Sequence, residues 1–251
     1  MNAPHWFAAL WIVLAAGVPA AADDPAAHLS ATDYLDHGHP RVQQAIAEAT
    51  RGATTPREKA VAIHDYVRDR VAFGFNKPFY AMRASEVLAA GRGFCNNQST
   101  VFAAMLRGAG VPARHRFYAL SAQVLDGILD PGTPYVDHAV VEVHLDDRWV
   151  PVDSYIVDRP LAEAVRPQLT SGLRLGVRAD GSTAWDGATP SFSQFHPEFV
   201  AREFGVFEDV DAFYARAERP TNRLGVAGRL LFRLVIGRAN DRIETLRTGA
   251  P

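Results

Sequence analysis

One stretch limits what this chain can fold into. Gly91-Arg92-Gly93-Phe94-Cys95 is followed by a run of helical period, in which Phe102, Met105, Leu106 and Ala109 recur at spacings of three and four. That spacing marks one buried helix face. Cys95, the only cysteine, then falls at the first turn of a core helix. There the unpaired N–H groups and the positive end of the helix dipole favour a thiolate. Glycines before the thiol suit a close backbone approach. A lone cysteine is ordinarily a small buried apolar residue. This one stands among glycines and amides, as an activated nucleophile does.

Upstream, Thr54-Thr55-Pro56-Arg57-Glu58 predicts a helix start, with Thr55 as cap, Pro56 in the first turn and Glu58 closing a capping box. The helix runs to about Phe73 with Ala60, Ile63, Val67 and Val71 on one face, and His64 beside that face reads as structural. Arg41 to Ala49 is a shorter helix, and Ser85 to Ala90 another that Gly91 ends. Gly108-Ala109-Gly110 before Val111-Pro112 stops the Cys95 helix.

The period then changes to two. Ala113 to Leu120 reads as a strand, Asp130-Pro131-Gly132 as a turn, and His138–Leu145, Asp146-Asp147 and Arg148–Asp153 as an antiparallel hairpin. Helices first and strands after predict an α+β fold. A thiolate needs a base, and the base needs an orienting partner. His138 heads one hairpin strand and Asp153 ends the next, fifteen residues on. Antiparallel pairing brings such positions side by side, so the hairpin alone predicts the contact.

These blocks resemble the core domain of the transglutaminase-like superfamily over roughly residues 55–155. The matching residues are Glu58-Lys59-Ala60 through Val71, Ser85-Glu86-Val87-Leu88, Gly91 to Cys95, Phe102 to Arg107, Gly110 to Arg114, Asp137 to Val143, and Trp149 to Ser154. The resemblance implies a papain-like α+β core with a triad of Cys95 as nucleophile, His138 as base and acid, and Asp153 as orienter. No cofactor or metal is expected, since the sequence has no phosphate-binding glycine loop, no dinucleotide fingerprint and no cluster at ligand spacing. The family includes cross-linking enzymes, peptidases, deglycosylating amidases and members with no known activity. Val140 stands where many members carry an aromatic residue, and no upstream Trp offers an oxyanion donor. Tyr80, Asn76 or a backbone N–H near Cys95 are the candidates for that role.

Net charge is −2, which gives no whole-chain case for nucleic acid. Residues 1–22 read as an export signal, with an apolar run from Trp6 to Val18 and Ala20-Ala21-Ala22 before Asp23. The expected address is periplasmic or secreted, with an amino-terminal anchor as the alternative. Residues 23–54 are a lead-in, with an extended stretch to 39, and 156–251 an extension, irregular to about residue 200 and then helical. Phe192, Phe195 and Phe199 are expected to pack that segment on the core. Asp209–Ala217 and Leu224–Leu246 are its helices. From Arg216 on, eight Arg face three acidic residues, so peripheral contact with an anionic membrane is one expectation and a helix docked by its apolar side another. His144 with Glu142 lacks the spacing of a metal site, and Asn96 and Asn97 either line the site or cap the helix, with capping the expectation.

The functional expectation is an exported thiol enzyme acting on amide bonds of a peptide or protein substrate, by hydrolysis or by transfer. Two alternatives are a catalytically unused binding or scaffold module, and acyl transfer from a small thioester donor, as arylamine acetyltransferases perform with a related triad.

Overall fold

Helices form where their capping signals lie. In the computed structural model, which describes residues 24–178, 180–191, 194–216 and 226–249, Thr55 Oγ1 accepts from the Glu58 N–H. The Glu58 carboxylate in turn accepts from the N–H groups of Thr54 and Thr55. These bonds, led by that from the Thr55 backbone, hold the Glu58 carboxyl at about 2. They start α2 (Pro56–Arg70), which buries Ala60, Ile63 and Val67 completely. The helix ends before the expected Phe73. Val71 leaves helical geometry, and Ala72–Phe73 form a two-residue strand, β1, paired in parallel with Arg92–Gly93, β2.

Helix α1 (Pro40–Ala49) lies before α2, and α3 (Ala84–Ala90) after it. Gly91 closes α3 at φ 62, a left-handed conformation that suits glycine. Two residues on, a Cβ at Gly93 would come within 2.7 Å of the Asn97 Cβ. Glycine there lets the chain turn directly into α4 (Cys95–Gly108). Every residue from Asn96 to Arg107 is buried, because α1, α2, α3 and the sheet all pack around this helix.

The sheet is antiparallel, ordered β5-β4-β3-β6. Its strands are β3 (Ala113–Ser121), β4 (Tyr135–Leu145), β5 (Arg148–Val152) and β6 (Val200–Phe207). Asp146 and Asp147, with φ of 49° and 58°, make the β4–β5 turn, the backbone of a two-residue type I′ hairpin. Val136 to Val143 are buried without alternation, since both faces of β4 are covered.

Several expectations change. Residues 25–29, expected as extended chain, form a short 3-10 turn. Residues 154–200, expected as irregular, contain α5 (Arg159–Thr170), capped by Asp158 with Pro160 in its first turn. Strand β6 also lies in the segment set apart as an extension, yet it is hydrogen-bonded along β3 at the sheet edge. Helices α6 (Val210–Tyr214) and α7 (Val226–Thr248) follow. The apolar side of α7 is docked, with Ile236, Ala239, Ile243 and Leu246 buried. The expected export signal over 1–22, and Phe192, lie outside the described residues. None of the described helices is long and apolar enough to cross a membrane.

Asp158 ties three of these pieces together. It accepts from the Leu161 N–H at the head of α5, from the Phe73 N–H in β1, and from Arg247 of α7 at 2.7 Å. Asp158→Ala leaves a half-buried guanidinium and a buried N–H without their acceptor. The expected cost is about 3 kcal/mol, read as a lower urea midpoint; an unchanged midpoint would refute the assignment.

Candidate active site

Cys95 is the first residue of α4, and its thiol donates to Asn96 Oδ1 at 3.4 Å and to the Asp137 carbonyl at 3.8 Å. Asp137 precedes His138 on β4, so the thiol is held against the strand that carries the imidazole. Leu145 pairs with Arg148 and Val141 with Val152, which sets Asp153 just past the end of β5, across from Val140. His138 sits inside β4 rather than at its head, because the strand begins at Tyr135. Its Nε2 lies 3.4 Å from Asp153 Oδ2.

Both partners are buried, Asp153 fully and His138 to 2% exposure. Burial by itself lowers the His138 pKa. The hydrogen bond to Asp153, then the hydrogen bond and charge of Cys95, outweigh it and raise the value to about 9. With Nε2 turned to Asp153, Nδ1 is the ring nitrogen left for the sulfur. The Phe195 ring meets the imidazole edge-on at 5.2 Å and restricts its rotation. The expected packing of Phe195 thus falls directly on the site.

Asp153 is fixed through its neighbours. Its N–H donates to the Ser191 carbonyl, and Gln194 Nε2 donates to the Ser154 carbonyl. Ser154 Oγ lies 2.8 Å from His64 Nε2, while His64 Nδ1 lies 2.9 Å from Asp65. That Ser-His-Asp series has the residue types of a hydrolytic triad. Ser154 and His64 are both 0% exposed, so the series serves as an internal strut. Burial lowers the His64 pKa, against the pull of Asp65.

The amides beside the thiol do not cap the helix, contrary to expectation. Phe94 is the N-cap residue and provides no side-chain bond. Asn96 Nδ2 donates to Tyr214 Oη at 2.9 Å, and Asn97 Nδ2 to the Phe79 carbonyl. Both amides are drawn to the surrounding walls, which α4 reaches because its first turn is buried. Tyr214, on α6, is a part of the site that sequence reasoning missed. Its ring lies flat on Tyr80, centroids 3.6 Å apart, which holds Tyr80, one oxyanion candidate, in place. Asn76, the other, donates to the Arg92 carbonyl. The nearest unspent donors are the first N–H groups of α4, which have no partner within the helix.

Glu142 is taken by Arg114 and Arg116, each at 2.7 Å, and His144 packs against Trp149. Among the described residues no group of His, Cys, Asp and Glu is placed to hold a metal.

A half-buried thiol on a helix tip, beside a buried imidazole and carboxylate on an antiparallel hairpin, defines an α+β domain with a Cys-His-Asp arrangement. Residues 43–154 match the family model described as Transglutaminase-like superfamily. A solved structure described as a candidate cysteine protease from Cytophaga hutchinsonii is similar at 18% identity and a TM-score of 0.43; the match covers 52% of this chain and 42% of that one. No curated protein gives a significant match.

Proposed function

We propose that the chain is a cysteine-dependent enzyme that opens amide bonds through a thioester on Cys95. The observation that carries this reading is the His138 imidazole placed between the Cys95 thiol and the buried Asp153 carboxylate. The thiol proton passes to His138 Nδ1, and Asp153 at Nε2 stabilises the imidazolium. The sulfur attacks the acyl carbon, and the carbonyl oxygen takes the electron pair facing the free N–H groups at the head of α4. When the oxyanion collapses, the C–N bond breaks and His138 returns its proton to the departing amine. Water, deprotonated by His138, then adds to the thioester; the second collapse releases the acid, and the proton on His138 returns to the sulfur. Hydrolysis needs only water, so it is preferred over transfer to an amine.

A burst experiment tests the acylation half. Mixed with p-nitrophenyl acetate, the protein is expected to release close to one equivalent of p-nitrophenolate rapidly and to carry an acetyl group on the Cys95 peptide by mass spectrometry. Absence of the burst, or an acetyl group found elsewhere, would leave the domain as a binding module.

A further inference from the structure

The wall that holds Cys95 and His138 belongs to a cavity of about 440 Å³, within the range of small-molecule sites. Its lining is out of character for a peptide cleft. Beside the thiol stand Phe75, Phe79 and Phe94, with the last two rings stacked at 4.8 Å. Much of the remaining wall is aliphatic and drawn from separate parts of the chain, among them Leu125, Val165 of α5, Leu175 and Leu246 of α7. Apart from Cys95, Asp137 and His138, the polar side chains of the lining are Asp130 and Thr133. Both flank the turn Asp130-Pro131-Gly132, whose Asp130 and Gly132 are exposed. Among the described residues no Lys or Arg lines the cavity.

These features select the occupant. A bound peptide brings one N–H and one C=O per residue into the site. Burying them against hydrocarbon without partners is costly. A phosphorylated or otherwise anionic group would find no Lys or Arg among the described lining residues, only the His138 imidazolium that Asp153 already pairs. A hydrocarbon chain has no polar group to desolvate and gains from every methylene buried. At ~30 Å³ for a water-sized group, the cavity has room for roughly a dozen to fifteen such groups, the size of a medium-length acyl chain.

We propose that the acyl half of the substrate is an unbranched aliphatic chain lying in this cavity, its carbonyl at Cys95 and its polar amine half toward the Asp130 turn: the substrate class is N-acyl amides. This rests on the thioester reading of the site but is tested without catalysis. The Cys95→Ala protein, which cannot turn over, is titrated calorimetrically with uncharged N-acylglycinamides from acetyl to hexadecanoyl, below their solubility limits. Affinity is expected to rise about fourfold per methylene, the equivalent of ~0.8 kcal/mol, and to level off near a dozen carbons. Val165→Phe and, separately, Leu125→Phe take up volume in the aliphatic wall and are expected to bring the plateau to shorter chains. Affinity independent of chain length would overturn the proposal, as would a plateau unmoved in both variants. So would N-acetylphenylalaninamide binding as tightly as the dodecanoyl compound, which would mark a side-chain pocket of a peptidase. A p-nitrophenyl acetate burst alongside a flat chain-length series would refute the acyl-chain site and leave the thioester chemistry standing. A rising series without a burst would do the reverse.

Discussion

Cys95→Ala is expected to abolish the burst and to lower turnover of any amide substrate by about 10⁴-fold or more, the scale on which loss of a nucleophile acts when no other group can form the covalent intermediate. The fold is expected to survive. The Cys95 thiol makes long contacts to Asn96 and the Asp137 carbonyl beside its bond with His138, while α4 is held by its buried length from Asn96 to Arg107. Thermal unfolding separates the two effects. An inactive variant with a melting curve close to that of the parent places the loss in chemistry. Retained turnover at the parent rate would rule out the covalent route.

The second large effect belongs to Asp153→Asn. The substitution keeps the shape of a fully buried side chain and removes its charge. In serine triads the equivalent change costs about 10⁴ in kcat, and a loss of 10³-fold or more is expected here. The pH dependence gives a sharper sign. His138 titrates at about 9 in the fold against an ordinary 6.5, with burial outweighed first by the Asp153 bond. The imidazolium therefore stabilises the fold fully below about 6.5. That contribution is lost as pH rises through about 9. Loss of the proton also removes the acid that expels the amine, so the basic limb of the rate profile is expected near pH 9. In Asp153→Asn burial is left less opposed, and the limb is expected to move to lower pH. An unmoved limb would show that another group controls it.

Much of this arrangement was legible because its signals are local. The α2 capping box lies within five residues, and the two-Asp turn fixes the β4–β5 register, which alone brings His138 to Asp153. The parts that were misread depend on distant partners. Pro160 and Pro167 read as breakers over 154–200. Yet Pro160 sits in the first turn of α5, where a missing N–H costs nothing, and Leu161 and Val165 already carried a helical spacing. Strand β6 is half-exposed and gains its identity from β3, some eighty residues earlier. Nothing near Asn96 announces Tyr214, 118 residues away. The cavity was illegible for the same reason, its lining running from Phe73 to Leu246.

That spread has a consequence for the order in which the protein is made. The helices and hairpin that bring Cys95, His138 and Asp153 together leave the ribosome well before Val235 and Leu246, which close the cavity. At ~5–20 residues per second, a nascent chain carries a nearly assembled thiol site for several seconds before the wall that selects its substrate exists. Arg247, bonded to Asp158 and to the Phe73 carbonyl, is made later than all three residues of the site and then fastens that wall in place.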